Sequence, residues 1–173
     1  MASLLQSTLN TRFLPVAEKR FLRSDVPLQL TDAEINWLLE NGITTLVDLR
    51  SAEEVQRKPC PLAVNPLFTY HHLPVTGGGD TPRSRAHLHE TYRSMVDGRM
   101  ARILDVLLSA PEGAMYFCTA GKDRTGVVST LLMKKLGADE ETIVQDYMLS
   151  KGNLMDMLLS YASAHPQVDP DII

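Results

Sequence analysis

The sequence predicts an α/β fold: a single domain over residues 1–173, with a mostly parallel central sheet and helices on both faces. Three observations lead there. Short apolar or β-branched runs near 43–48, 67–73 and 114–118 alternate with helical patterns. A chain of 173 residues, 44% hydrophobic and 22% charged, suits one domain with a sizeable core. No internal repeat and no linker divides it.

Taken in order, residues 8–24 read as short, partly extended pieces with exposed cations. Arg12 and Arg23 are expected to make salt bridges to nearby acids rather than to carry function. Thr31-Asp-Ala-Glu34 is a capping box. The helix it opens, over 31–41, gathers Ile35, Leu38 and Leu39 on one face and ends at Asn41-Gly42. Ile43–Asp48 is a strand. Asp48-Leu-Arg50-Ser51 turns from the strand end into a helix capped by Ser51, with acids in its first turn. Asp48 and Arg50 are expected to pair and support the loops. Cys60 lies in the turn-rich Lys58-Pro-Cys-Pro61 and reads as an inert thiol rather than a resolving one.

Residues 67–73 form the next strand. Thr76–Arg85 follows, with three glycines, an acid and two arginines, and reads as a mobile candidate lid. Helices are expected at 86–97 and 99–109, broken by Pro111-Glu-Gly113 before the strand at 114–118. A helix over 127–136 is closed by Gly137, another runs over 138–150, and a short one covers 153–163. The tail from Pro166 reads as irregular. Adjacent His71 and His72 point to opposite faces of a strand, and His87 and His89 match no ligand spacing, so no metal site is read.

The chemistry concentrates in Cys118-Thr-Ala-Gly-Lys-Asp-Arg124-Thr-Gly126, where a buried strand ends in a tight loop and a helix begins. Such a loop presents unpaired backbone N–H groups, and the helix dipole adds positive charge. Gly121 lets the backbone curl around an anion. Arg124 offers a planar fork for two phosphate oxygens. A field of that sign is expected to favour the thiolate form of Cys118 and make it a nucleophile. Thr119, Ala120, Gly121, Lys122, Asp123 and Thr125 line the cradle, with the Thr125 hydroxyl placed to bond the sulfur. Lys122 adds charge at the rim and favours multiply anionic substrates. A proton for the leaving oxygen requires an acid. Asp80, on the glycine-rich stretch, is the first choice and Asp123 the runner-up, with bracing of the loop the more natural role for Asp123. A nucleotide P-loop is excluded, since Asp123 follows Gly121-Lys122.

This loop resembles the signature of the protein tyrosine phosphatase superfamily, in its microbial branch, some of whose members also act on phosphoserine, phosphothreonine or phosphoinositides. The resemblance implies that Cys118 is the nucleophile and that Arg124 holds the phosphate. Asn10-Thr-Arg12, Arg23-Ser24, Asp48-Leu-Arg-Ser51 and Asp146-Tyr-Met-Leu-Ser150 resemble further segments of that family, which also carries a catalytic Asp after the equivalent of the 67–73 strand. Two positions depart from it. Phe117 stands where the family has His, and Phe13 stands where an acid follows Asn-x-Arg.

The net charge of −4 gives no global basic field for nucleic acid. Two cysteines make no disulfide framework, and a catalytic thiolate suits a reducing compartment. No signal peptide or membrane span is evident in the sequence, so a cytoplasmic location without integral membrane contact is expected. The expected activity is hydrolysis of a phosphate monoester on a protein or a phosphoinositide, with no metal or organic cofactor. A pseudophosphatase that binds phosphorylated ligands without turnover, and a sulfur- or arsenate-handling enzyme, are the alternatives from other classes.

Overall fold

The central strand, Gly113–Cys118 (β5), is buried at all six positions and sits in the middle of a five-stranded sheet. We describe residues 2–78 and 83–166 of a computed structural model. In chain order, the preceding strands are Arg12–Phe13 (β1), Phe21–Asp25 (β2), Ile43–Asp48 (β3) and Thr69–His72 (β4). The sheet order is β1-β2-β5-β3-β4, with β1 antiparallel to β2 and every other pairing parallel. The predicted α/β architecture is therefore the observed one.

Alternation along β5 explains why helices cover both faces. Ala114, Tyr116 and Cys118 join one apolar cluster, while Met115 and Phe117 join the other. The first cluster holds Ile103 and Leu107 of helix Gly98–Ser109 (α4). It also holds Val128, Leu132 and Met133 of helix Asp123–Lys135 (α5). The second holds Leu38 of helix Asp32–Glu40 (α1) and Leu62 of the 3-10 turn Pro61–Val64. Burying whole aliphatic side chains contributes roughly 1.5–3 kcal/mol each, so these two clusters are the main favourable term.

Local signals place the remaining helices. The capping boxes at Thr31/Glu34 and Ser51/Glu54 both form, the second opening helix Ala52–Arg57 (α2). Asp97 accepts from the backbone N–H groups of Arg99 and Met100. It therefore starts α4 and ends the region of helix Arg85–Ser94 (α3), where sequence reading extended the first helix to 97. Gly137, at φ +84°, follows α5 as expected. Helices Glu140–Asn153 (α6) and Met155–Ala164 (α7) complete the order.

One expectation is overturned in part. The short extended pieces foreseen over 8–24 are present as β1 and β2, but Arg12 and Arg23 are not exposed cations: they are 1% and 0% exposed. Their partner is Asp146 of α6, more than a hundred residues away in sequence.

Candidate active site

Strand β5 delivers Cys118 to the carboxyl edge of the parallel strands, where sites of open α/β sheets gather. The thiol is 3% exposed. The segments that follow β3 and β2 continue past the sheet and hold the strand end. Leu49 N–H donates to the Phe117 carbonyl at 2.9 Å, and Val26 N–H to the Thr119 carbonyl at 3.4 Å.

The loop then turns at Gly121, φ +66°. A Cβ here would stand 2.5 Å from backbone atoms of Ser24 and Asp25, so only glycine fits. The Gly121 carbonyl accepts from Asn10 Nδ2 and from Arg23 Nη2, both at 2.9 Å. A trans peptide points its N–H opposite its C=O, so this bond pair turns the Lys122 N–H away from the network. Helix α5 begins at Asp123 with no side-chain cap at Lys122. Its first-turn N–H groups are thereby left without a side-chain acceptor, as an anion site requires.

Behind the loop lies a buried ionic cluster. Asp146 accepts from Arg12 Nε at 2.8 Å and pairs with Arg23 Nη1. Ser150 Oγ accepts from Arg12, Arg23 and Asn10 at 3.0–3.2 Å. Burial and the neighbouring Arg23 charge lower the Arg12 pKa, opposed by Asp146. Arg12 and Arg23 thus make ion pairs as foreseen, yet their acid lies on α6; Arg23 also holds the Gly121 carbonyl, and Arg12 bonds the Asn10 side chain that does the same.

Arg124, in the first turn of α5, is 4% exposed. Its Nη1 donates to Glu54 Oε2 at 2.5 Å and its Nη2 to Glu54 Oε1 at 2.8 Å. Thr119 Oγ1 donates to the same Oε1 at 2.5 Å. The Glu54 carboxyl is brought down to about 2, chiefly by the Arg124 hydrogen bonds against the cost of burial. Burial acts to lower the Arg124 pKa, but Glu54 and the charge of Cys118 outweigh it and raise it. Glu54 was legible in the sequence only as one of the acids in the first turn of the helix capped by Ser51, and nothing local linked it to position 124.

Thr125 Oγ1 is buried without a hydrogen-bond partner, so the bond foreseen to the Cys118 sulfur is not made in this structure. Asp123 accepts a hydrogen bond from the Tyr92 hydroxyl, which shares a 2.7 Å bond with Tyr147. Burial, then the Asp123 charge, pushes the Tyr92 phenol up. Asp123 is therefore braced toward α3 and α6, with Lys122 Nζ 3.5 Å from its Oδ1. Asp80 lies outside the described residues. The chain leading to it passes close by: a Cβ on Gly78 would be 3.0 Å from Cγ of Arg124.

The supporting loops follow expectation in part. Arg50 pairs with Asp48 at 2.6 Å, and Tyr70 donates to the same carboxylate at 2.9 Å. Phe117, 0% exposed, lies under the Arg50 guanidinium at 5.9 Å. Cys60 is buried and its thiol is pushed up to about 11, first by burial.

Comparison with known proteins adds the lineage. The profile of a family described as the tyrosine phosphatase family matches residues 7–169. A tyrosine-protein phosphatase of Nostoc commune is 29% identical over 140 residues, covering 75% of this chain and 48% of that protein. The triple specificity protein phosphatase PtpB of Mycobacterium tuberculosis is 28% identical over 172 residues, covering 78% and 62%. The chain thus spans about half to three-fifths of the length of these curated relatives. Among solved structures, a protein of Neisseria meningitidis aligns with a TM-score of 0.47 at 18% identity, over 84% of this chain and 94% of that one.

Proposed function

The chain belongs to the tyrosine phosphatase family, and from that premise we propose that it hydrolyses phosphate monoesters through a phosphocysteine formed on Cys118. The observation that carries this is the loop between β5 and α5. A nucleophilic side chain at the strand end faces a helix start whose Arg124 is already fixed in place, with Gly121 pinned from behind.

The steps follow from those parts. The Cys118 thiolate attacks phosphorus, an S–P bond forms and the P–O ester bond breaks. Asp80 gives its proton to the departing oxygen. Loop N–H groups and Arg124 neutralise the equatorial oxygens as charge shifts onto them. Water then attacks phosphorus and gives a proton to the Asp80 carboxylate, the S–P bond breaks, and phosphate leaves with the thiolate and the acid both restored. Thr125, buried and unpartnered, is the donor available to the sulfur as it departs.

Residues 1–173 act as one catalytic domain in this reading. The substrate is a phosphorylated protein, with phosphotyrosine the primary target and phosphoserine, phosphothreonine or phosphoinositides as further ones. A reducing, cytoplasmic setting suits the thiolate. Among the described residues, no helix is long and apolar enough to cross a membrane. The second reading is a binding module without turnover, and one contact favours it: both Nη groups of Arg124 are engaged by Glu54.

Phosphate release from a small aryl phosphate, measured between about pH 4 and 8 beside Cys118→Ser, separates the two. Turnover by the wild type and none by the variant supports the hydrolase. Tight phosphopeptide binding without any release leaves the binding module.

A further inference from the structure

A cavity of about 500 Å³ opens directly beside the signature loop, and Thr119, one residue from the nucleophile, forms part of its wall. Its opposite side is built from the end of α2, with Arg57 and Lys58. Val26 and Leu28 supply an apolar wall. Every side is tied down. Arg50 Nη1 donates to the Lys58 carbonyl at 2.7 Å, Glu54 is held by Arg124, and Asp25 accepts from the backbone of Leu9 and Asn10 at 2.8–3.1 Å.

The charge balance of that cavity is one-sided. Its two acids, Asp25 and Glu54, are already partnered, by two backbone N–H groups and by a guanidinium. Arg50 is neutralised by Asp48. Among the described residues, neither Arg57 nor Lys58 has an ion-pair partner. Arg57 donates its Nε to the Glu53 carbonyl at 3.3 Å, and its charge also acts on the Glu53 carboxylate without a salt bridge. With Arg50 paired to Asp48 and Glu54 to Arg124, the charges left without a salt bridge are Arg57 and Lys58 against Asp25, a balance that stays positive next to an apolar wall.

Building on the proposed phosphatase activity, we infer that this cavity is a specificity subsite for an acidic side chain flanking the phosphorylated residue of a protein substrate. Consecutive residues are about 3.8 Å apart, so a neighbour of the phosphoresidue reaches past Thr119 while phosphate occupies the loop. An aspartate or glutamate lays its methylenes on Val26 and Leu28 and its carboxylate toward Arg57 and Lys58. An inositol polyphosphate fits less well, because it brings charge on all sides and has no methylene arm to lay on Val26 and Leu28.

The test compares kcat/KM for two phosphotyrosyl peptides, one with acidic and one with neutral flanking residues, with an aryl phosphate alongside. We expect the acidic peptide to be favoured about fivefold to tenfold at low ionic strength, through KM, and the advantage to fade with added salt. Arg57→Ala/Lys58→Ala brings the ratio to about one. Both side chains are exposed, so the double variant keeps its fold. A wild-type ratio near one, or a preference that survives the double variant, overturns the subsite while leaving the phosphatase reading intact. If soluble inositol phosphates alone lose turnover in the double variant, the protein-substrate assignment is overturned. If aryl phosphate and both peptides stay uncleaved by the wild type, the phosphatase reading itself falls.

Discussion

At the scale of single residues, the site depends on Glu54 as much as on the residues of the signature loop. Its carboxylate closes the Ser51 capping box, receives both Nη groups of Arg124 and accepts from Thr119. A depressed carboxyl pKa stabilises the folded state above the unfolded value, and that stability is lost as pH falls through the folded value. For Glu54 the window runs from 4.5 down to about 2. Glu54→Gln is expected to cost about 1–2 kcal/mol at neutral pH, after allowing for partial solvent screening. Denaturant unfolding of wild type and variant should show that gap closing as pH drops from 4.5 toward 2. A gap that does not change with pH would mean the ion pair contributes nothing. Sequence alone could name Cys118, Arg124 and the place of Glu54 in an acidic first turn. It could not join positions 54 and 124, because the joining contact exists only once β3 and β5 are paired.

At the scale of elements, β1 and β2 are the part least legible beforehand and among the most consequential. Their arginines look like surface cations in a local window, yet each is sealed between the sheet and α6 by Asp146. By contrast, α1, β3, α2 and β5 were legible because caps, glycines and β-branched runs act within a few residues. Asp146→Asn removes the acid that two buried guanidinium groups share. Uncompensated buried charge costs roughly 3–5 kcal/mol, which lowers Tm by about 10 °C for a chain this size. The same variant loosens the Arg23 hold on the Gly121 carbonyl, so kcat/KM on an aryl phosphate is expected to fall about tenfold or more at temperatures where the fold persists. Calorimetry with parallel kinetics checks both. A Tm within 2–3 °C of wild type would remove Asp146 from the argument.

At the scale of the whole molecule, the α/β class, the parallel sheet and its two helical faces were readable because short apolar strands alternate with helices, and the run Ala-Met-Tyr-Phe of β5 is apolar on both faces of the sheet. Long-range pairings, such as α6 with β1, carry no sequence-local trace. The two cysteines illustrate how the fold divides identical chemistry. Cys60 is 2% exposed among Leu22, Leu62 and Phe68, with its thiol raised to about 11. It is therefore expected to resist alkylation at neutral pH in the native protein and to react fully once urea unfolds the chain, as peptide mass mapping would report. Rapid native labelling of Cys60 would show that its pocket opens. The central claim concerns the other thiol, and rapid acid quench of the enzyme during turnover of an aryl phosphate tests it most directly. Intact-mass and peptide analysis should find one added phosphoryl group, on Cys118, and none in Cys118→Ser. Turnover that survives Cys118→Ser with no phosphoryl adduct on the wild-type enzyme would contradict it.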